Sequence, residues 1–441
     1  MFDSIVRRPQ RLLVLLIAFM AILFITTYAS LSSWGSDQLR AQLQHIPAFF
    51  SEQAVANTTC NVTGVPTFEL ANWTSVRSVE DLRPFAHVGD DGNLYPPSFV
   101  PQEANTMPRA KAGFIVLVRN SELEGMREAM RDVEDRFNRK YGYPWVFLND
   151  KPFSKEFQEG VQQMTRSETR FGLIPAEHWG YPDWIDQTHA AAQRQKMHKE
   201  GIIYGGSESY RHMCRFNSGF FFRHPLTQDL DYYWRVEPGI RLHCDLDYDP
   251  FVFMQLNNKV YGFTISLHEY PKTIPTLWEK TKAFMKLHPD YLAKDHALHF
   301  MTDEPERLLE PGYNMCHFWS NFEIADLRFW RDKKYMDYFT YLDRDGGVRK
   351  HATLLTVQFF YERWGDAPVH SIAAVLFANR SQIHHFDDIG YYHGPWLHCP
   401  TNRAKYQNTG RCNCNPNDSS DKEDFMCMKE WWRTSIEGPP K

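Results

Sequence analysis

The densest run of groups able to do chemistry is an acidic stretch from Glu237 to Asp249. It holds four carboxylates, on Glu237, Asp245, Asp247 and Asp249, close to glycine and proline turns. Oxygen atoms of this kind can hold a hard divalent ion such as Mn²⁺ or Mg²⁺. A solvated acidic loop has the same spacing, and from spacing alone that plainer interpretation is favoured.

Three further segments combine acids with aromatic or histidine side chains. Glu323 stands among aromatic and polar residues, surroundings that suit a nucleophile beside a sugar and equally suit a buried structural carboxylate. Asp366 and His370 share the segment WGDAPVH, and His393 ends the segment DDIGYYH. His393 is a candidate metal ligand, although a single histidine is more often structural.

The strands and helices predicted around these segments indicate an α/β domain. Residues 113–118 are an apolar run typical of a buried strand, a helix is predicted from a capping box at Ser121 to near Gly142, and residues 144–149 follow as a strand. This is a βαβ unit, so the sheet should be largely parallel. Further strands are predicted at 202–204, 242–244 and 260–265, and helices at 183–199, 249–257, 275–287, 326–343 and 368–378.

Composition narrows the class of protein. With 49 Lys+Arg against 54 Asp+Glu, the 441-residue chain carries a formal charge of −5, which excludes a strongly basic nucleic-acid binder. Neither GxGxxG after the first strand nor GxxxxGK[ST] is present, so any nucleotide must be held in another way. Aromatic residues make up 15% of the chain, which fits either an aromatic core or a sugar-binding surface.

The first apolar run predicts a membrane anchor. Residues 12–31 carry no charge, and a helix of that length spans roughly the 30 Å of a hydrocarbon core. Arg7, Arg8 and Arg11 precede the run and no charge follows until Asp37, so residues 1–11 should be cytosolic and the rest lumenal. Its length and its poor cleavage site favour an uncleaved signal anchor over a signal peptide.

The segment after the anchor resembles a stem. Residues 32–107 are proline-rich without sustained periodicity, and they predict a lumenal stem ahead of a folded domain at 108–435. The eight cysteines favour disulfides of unassigned pairing over a zinc site at the four C-terminal ones. Five glycosylation sequons lie beyond the anchor, at Asn57, Asn61, Asn72, Asn379 and Asn417.

Six long segments carry a resemblance to a known family. They are LVRNSEL (117–123), SYRHMCRFNSGFFF (209–222), YWRVEPGIRLHCDLDYDPF (233–251), YNMCHFWSNFEIADLRFWR (313–331), FFYERWGDAPVHSIAA (359–374) and DIGYYH (388–393). In this order they resemble the fungal α-1,2-mannosyltransferases of glycosyltransferase family fifteen. The resemblance covers about residues 108–400.

The resemblance implies a type II Golgi membrane enzyme. Its fold would be GT-A-like, with a mixed, mainly parallel central sheet behind a single transmembrane helix. Its reaction would move mannose from GDP-mannose to mannose residues of N-linked or O-linked protein glycans, with retention of configuration and with Mn²⁺ as cofactor.

The same resemblance implies roles for individual residues. Glu237 would replace the DxD motif of other GT-A enzymes and ligate Mn²⁺ together with His393 and the diphosphate. Glu323 matches the candidate nucleophile of a double displacement; in a front-face route it would instead stabilise oxocarbenium charge, and both routes stay open. The remaining matches are Tyr210 and Arg235 near the donor diphosphate or reacting sugar, Arg119 at the nucleotide, and Asp366 as a hydrogen-bonding partner of the acceptor or as its base.

One segment departs from the family pattern. Eleven residues, Val348 to Gln358, separate a Gly-Gly pair from the FYERWGDAP stretch that follows it almost directly in the family. They are either a surface insertion near the acceptor side or an unspliced intron, since Val codons begin with GU, a Gln codon can end in AG, and eleven codons keep the frame. A transcript without these codons would identify the intron.

Two other functions are compatible with these residues. A lumenal glycoside hydrolase would use two carboxylates and need neither metal nor nucleotide. A membrane-anchored lectin would bind mannose through its aromatic surface without turnover.

Overall fold

The computed structural model describes residues 77–97, 108–304, 312–345 and 358–438. The predicted anchor at 12–31 and most of the predicted stem lie outside these ranges. The same holds for Val348 to Gln358, apart from the backbone of Gln358. Within the described ranges, every helix is too short or too polar to cross a bilayer.

A seven-stranded sheet forms the centre of the domain, and its mixed, mainly parallel pairing confirms the predicted class of sheet. Four of its six strand pairs are parallel, and one strand, β11, runs antiparallel to both neighbours. The order across the sheet is β12-β8-β11-β6-β3-β4-β5. Its strands are β3 (Ala112–Leu117), β4 (Trp145–Asn149), β5 (Thr169–Leu173), β6 (Tyr232–Arg235), β8 (Tyr261–Phe263), β11 (Glu323–Asp326) and β12 (Ile383–His385).

Three small antiparallel sheets flank the central one. The pairs are β1 with β2, β9 with β10, and β13 with both β7 and β14. The strands are β1 (His87–Val88), β2 (Leu94–Tyr95), β7 (Arg241–Leu242), β9 (Ser266–His268), β10 (Cys316–Phe318), β13 (Tyr391–His393) and β14 (Trp396–His398).

The helices lie between these strands. They are α1 (Leu123–Val133), α2 (Lys155–Gln162), α3 (Ala176–Trp179), α4 (Gln187–Lys199), α5 (Glu208–Gly219), α6 (Pro250–Leu256), α7 (Leu277–Leu287), α8 (Leu327–Arg331), α9 (Lys333–Thr340), α10 (Gln358–Tyr361), α11 (Asp366–Phe377) and α12 (Met428–Thr434).

The predicted βαβ unit is confirmed. Helix α1 continues through a π-helical turn and a further short helix, and Gly142 ends it with φ +69°, a left-handed conformation that glycine adopts without steric cost. The capping box lies two residues earlier than predicted, because the Glu122 side chain accepts from the backbone N–H of Arg119 at 2.7 Å.

Other predicted elements need correction. Residues 202–204 form a turn, with Tyr204 at φ +54°, and not a strand. The helix predicted at 326–343 is two helices, because Asp332 ends α8 in extended backbone and caps α9. Strands β6 and β11 and helix α5 were not predicted. Their buried polar side chains belong to the site, and they interrupt the apolar periodicity by which strands and helices are recognised.

Most of the aromatic excess lies in the core. Among the described residues, five tryptophans are less than 2% exposed, and ring contacts run through the layers on both faces of the central sheet. Rings this large bury much apolar area, so they account for the composition without a broad sugar-binding surface. The five are Trp145, Trp234, Trp330, Trp364 and Trp431.

Disulfides rather than zinc hold the C-terminal region. All four cysteines that were weighed as a zinc site are paired, so that interpretation is wrong. Cys214 is buried and free, and Cys60 lies outside the described residues. The three bridges are Cys244–Cys412, Cys316–Cys427 and Cys399–Cys414.

Part of the predicted stem packs on the domain. Leu82 and Val79 are buried against α6 through Val252 and Leu256. The side chain of Asn257 forms hydrogen bonds with both backbone groups of Leu94 in β2. It accepts from the N–H at 2.8 Å and donates to the carbonyl at 2.8 Å. Residues 77–97 are therefore held by the domain they precede.

Gly219→Ala is expected to lower the free energy of unfolding by about 2–3 kcal/mol, the cost of overpacking a tight core. Gly219 ends α5 beneath the Phe339 ring, and an added Cβ would lie 1.9 Å from Phe339 Cζ. Urea denaturation of the full chain measures the change. Gly312→Ala is the matched control, because an added Cβ there meets open space; equal losses in both variants would contradict the prediction.

Candidate active site

A cleft of about 380 Å³ opens where parallel strands of the central sheet end. Its wall takes residues that directly follow β3, β4 and β6, together with the start of α5 and the end of β13. Parallel strands bring their carboxyl ends to one edge, which is where open α/β sheets bind ligands. The site residues predicted from sequence that line this cleft are Arg119, Tyr210, Arg235, Glu237 and His393.

Glu237 and His393 form the polar centre of the cleft. Glu237 Oε2 lies 3.4 Å from His393 Nε2, and Glu237 Oε1 accepts a hydrogen bond of 2.5 Å from Arg235. Burial opposes ionisation of Glu237, but Arg235 and His393 outweigh it and lower the pKa of this carboxyl to about 2. Glu237 is therefore an anion at any working pH.

Asp366 joins this centre through Arg235. The guanidinium donates to Asp366 Oδ2 at 2.5 Å, and Ser320 Oγ donates to the same oxygen at 2.8 Å. Burial of Asp366 would raise its pKa, yet the Arg235 charge lowers it below the usual value. Asp366 also begins α11, where the helix dipole favours a negative charge. Arg235 thus links two carboxylates that lie 129 residues apart in sequence.

Glu323 lies beneath the cleft with its carboxylate almost fully buried. It accepts hydrogen bonds from the hydroxyls of Tyr233 at 2.7 Å and Tyr261 at 3.0 Å, and His370 Nδ1 lies 3.1 Å from its Oε2. Burial and the neighbouring Glu323 raise the pKa of both phenols well above the usual value, so both stay protonated and donate. Two phenol donors and the His370 ring therefore hold this carboxylate in one orientation.

Strand register explains why these groups meet. Glu323 on β11 pairs directly with Arg235 on β6, so both side chains leave the same face of the sheet. Tyr233 lies two residues before Arg235 and therefore shares that face. A small cavity next to the cleft is lined by Arg235, Glu323 and Asn217, and Asn217 and Arg235 also line the cleft. The carboxylate is thus adjacent to the open site.

Tyr210 and Arg119 form another part of the cleft wall. The Tyr210 ring stacks on Tyr204 with centroids 4.6 Å apart, and the Arg363 guanidinium lies 5.2 Å from the Tyr210 centroid. Burial raises the Tyr210 pKa well above its usual value, so its hydroxyl is neutral. Arg119 donates to Ser209 Oγ at 3.2 Å at the amino end of α5. This wall offers cationic and hydroxyl groups to an anionic ligand.

Sequence reasoning missed the residues that position Glu323. His370 was noted only as part of a segment, yet it lies four residues after Asp366 on α11, so both point to the same side of that helix. Its Nε2 lies 3.1 Å from the Asn217 carbonyl oxygen, and its ring stacks on Trp330 with centroids 4.3 Å apart. The four-residue spacing between Asp366 and His370, which places both on one side of a helix, was the signal that the sequence offered.

The other three acids of the stretch do not join the cleft. Asp245 pairs with Arg136 at 2.7 Å and Asp247 with Arg411 at 3.3 Å, both at the surface. Asp249 is buried and caps α6; burial raises its pKa to about 6, although hydrogen bonds oppose this shift. Asp245 and Asp247 therefore belong to a solvated acidic loop. Of the four carboxylates in the stretch, Glu237 is left as the candidate metal ligand.

Glu237 and His393 could together hold a divalent ion. One carboxylate oxygen and one imidazole nitrogen form a mixed set that suits Mn²⁺, and their separation is longer than a strong hydrogen bond. Among the described residues, His393 Nδ1 is buried without a hydrogen-bond partner, so Nε2, which faces Glu237, is the nitrogen available to the ion.

Two other groups of potential ligands in the described ranges fit a metal poorly. His268 lies beside Cys316 and Cys427, whose sulfurs are joined in a disulfide. The second group includes Glu437, whose carboxylate already pairs with the buried Lys259 ammonium at 2.7 Å. The Lys259 ammonium therefore already neutralises the carboxylate that a metal ion would need as a ligand.

Comparison with known proteins identifies the family. Residues 86–436 match the family described as glycolipid 2-alpha-mannosyltransferase. The chain is 52% identical to glycolipid 2-alpha-mannosyltransferase 2 of Candida albicans, covering 74% of this chain and 67% of that one, and 49% identical to alpha-1,2 mannosyltransferase KTR1 of Saccharomyces cerevisiae, covering 79% and 84%.

Solved structures agree with the sequence relatives. The mannosyltransferase Ktr4p of S. cerevisiae in complex with GDP has a TM-score of 0.69 at 40% identity, covering 78% of this chain and 85% of that one. Core-mannan synthase A of Aspergillus fumigatus in its Mn/GDP form has a TM-score of 0.66 at 40% identity, covering 79% and 90%. The chain therefore belongs to the glycolipid 2-alpha-mannosyltransferase family.

Proposed function

We propose that this protein is a retaining α-1,2-mannosyltransferase of GT-A-like fold. It transfers mannose from GDP-mannose to mannose residues of N-linked or O-linked protein glycans. The observation that carries the proposal is the convergence of Glu237, His393 and Arg235 in one cleft of a chain whose relatives are named α-1,2-mannosyltransferases. Those names favour a transferase over a hydrolase or a lectin.

The donor diphosphate lies near Arg119, Tyr210 and Arg235 in this proposal. The two guanidinium groups supply the positive charge that phosphate oxygens require, and the neutral Tyr210 hydroxyl can donate to them. Related proteins crystallise with GDP, and one of them with Mn and GDP. Glu237 and His393 would hold the Mn²⁺, which when bound neutralises charge developing on the departing GDP.

Glu323 serves the reacting sugar. Both retaining routes pass through an oxocarbenium-like state that a fixed carboxylate stabilises, and the two phenols and the His370 ring around Glu323 keep it oriented before the reaction begins. Asp366 is better suited to accept a hydrogen bond from an acceptor hydroxyl than to remove its proton, because its lowered pKa makes it a weak base.

We further propose a Golgi membrane location with the folded domain in the lumen. Residues 12–31 would form the single anchor. Three disulfides fit an oxidising compartment, and both sequons within the described ranges, at Asn379 and Asn417, are exposed. Accessibility of Asn379 to glycosidase treatment in sealed Golgi vesicles, before and after permeabilisation, tests the orientation.

The activity test uses purified full-length protein with Mn²⁺ and radiolabelled GDP-mannose. Methyl α-mannoside, a high-mannose N-glycan and an O-mannosyl glycopeptide are compared as acceptors. We expect an extended product whose new linkage is α-1,2 by NMR, and loss of product with EDTA. Absence of extended product, or sugar release that needs no GDP-mannose and survives EDTA, would refute the transferase.

A further inference from the structure

A second, smaller cavity is separate from the cleft. It has a volume of about 180 Å³ and shares no lining residue with the cleft. Its wall combines the segment that carries β1 and β2 with the end of β12, the edge strand of the central sheet, and with the disulfide-bonded C-terminal region. The volume is below the roughly 300–1,000 Å³ of sites for drug-sized ligands, so the cavity suits a small ligand.

Three polar groups in this wall have no hydrogen-bond partner among the described residues. The Tyr406 hydroxyl belongs to a side chain that is only 4% exposed, and the His385 ring belongs to one that is 7% exposed. His385 Nε2 lies 3.0 Å from the Thr264 carbonyl oxygen, which leaves Nδ1 without a partner. The third group is the carboxylate of Asp387. All three groups line the cavity, so their unused hydrogen-bonding capacity is available to a ligand there.

The chemistry of these groups specifies what the ligand brings. Burial and the nearby His398 lower the pKa of His385 to about 3, so its ring is neutral and Nδ1 can only accept when Nε2 donates to Thr264. Burial beside Asp388 raises the pKa of Asp387 to about 6, and a donor to this carboxylate would relieve that cost. The ligand must therefore carry several hydrogen-bond donors.

Charge in the wall argues against an anionic ligand, because six carboxylates line it against two cationic side chains. Arg411 pairs with Asp388 at 3.1 Å, and Lys405 lies 3.6 Å from Asp90. Both cations are thus paired, and the remaining carboxylates would repel an anion but accept hydrogen bonds from a ligand rich in donors. At the rim, the exposed His87 ring stacks on Tyr95 with centroids 5.7 Å apart, which offers an apolar ring face.

We propose that this cavity binds a mannose residue of the acceptor glycan other than the one that reacts. A pyranose carries hydroxyl donors on its edge and apolar C–H groups on its faces, which matches the acceptors at the base and the rings at the rim. The choice of mannose rests on the proposed function. Two contacts on one branched glycan would raise its apparent affinity above that of a monosaccharide.

The test maps where a sugar binds, independently of turnover. Full-length protein is labelled with a photoreactive α-1,2-mannobiose, and the cross-linked peptides are identified by mass spectrometry. We expect labels near residues 85–95 and 400–411 in addition to the cleft, with competition by unlabelled α-1,2-mannobiose and not by maltose. Labels confined to the cleft, or cavity labels that excess calcium chloride removes, would overturn the inference.

Paired variants sharpen the test. Asp387→Asn with Tyr406→Phe should reduce cavity labelling and raise KM for a long oligomannoside about 3- to 10-fold, the effect of one or two lost hydrogen bonds, with KM for methyl α-mannoside unchanged. Asp424→Asn with Tyr270→Phe, at exposed sites outside both cavities, is the matched control and should change neither. Unchanged labelling and unchanged KM in the first pair would refute the second site.

The two proposals fail separately. Cavity labelling without any mannosyl transfer would refute the proposed activity and leave the sugar site standing. Mannosyl transfer with labels only in the cleft would support the proposed activity and refute the sugar site in the second cavity. Absence of labels everywhere would overturn the second site whatever the activity.

Discussion

Glu237→Gln is expected to lower kcat/KM on the order of 10³-fold, about 4 kcal/mol of transition-state stabilisation. The amide keeps the shape of the side chain but removes the charge that faces His393 and Arg235. Because the pKa of Glu237 is about 2, the native group is fully ionised across any assay range, and the loss should not depend on pH. Initial rates over a Mn²⁺ titration measure the effect.

The control for this change comes from the same acidic stretch. Asp245→Asn removes a half-exposed carboxylate that pairs with Arg136 at the surface. Surface pairs of this kind contribute little, so we expect less than about a twofold change in rate. EPR detection of free Mn²⁺ should show weakened binding by Glu237→Gln and unchanged binding by Asp245→Asn. Native Mn²⁺ affinity in Glu237→Gln would remove Glu237 from the metal site.

Glu323→Gln is expected to lower kcat by about 10³- to 10⁴-fold with little change in KM for GDP-mannose. The carboxylate acts on charge that develops only in the transition state, so binding of the ground state should be spared. Initial rates over a GDP-mannose titration separate kcat from KM. Calorimetry with GDP and Mn²⁺, and the unfolding temperature, report whether the fold and the donor site are preserved.

Single removal of the supporting hydroxyls provides a graded comparison. Tyr233→Phe and Tyr261→Phe each take away one donor to Glu323 and should cost about tenfold in kcat.

Mass spectrometry of the quenched native enzyme distinguishes the two retaining routes: a mannosyl adduct on Glu323 identifies the nucleophile, and its absence favours the front-face route. Near-native kcat in Glu323→Gln would exclude this residue from both.

Residue spacing predicted the early part of the fold well. The strand at 112–117, the long helix after it and the strand at 145–149 follow from local apolar periods and from the glycine that ends the helix, all of which act within a few residues. The strands β6 and β11 were missed because their buried faces carry Arg235 and Glu323 as well as apolar groups. At a site, function overrides the apolar pattern.

The acidic stretch shows the limit of spacing as evidence. Its four carboxylates are neighbours in sequence, yet Asp245 and Asp247 pair with surface arginines and Asp249 caps a helix. Only the tertiary structure separates them from Glu237. The partner that Glu237 does meet, His393, lies far along the chain on β13, which pairs with β7 just after Glu237.

By itself the sequence determined which residue types the site needs, through six segments whose order and length match one family. It also carried the helix and strand signals that act locally. The tertiary structure decided which of these groups meet: the register of β11 on β6 sets Glu323 opposite Arg235, and the start of α11 brings Asp366 to the same guanidinium. Pairing between strands and packing of helices depend on contacts between distant segments, which spacing along the chain does not encode.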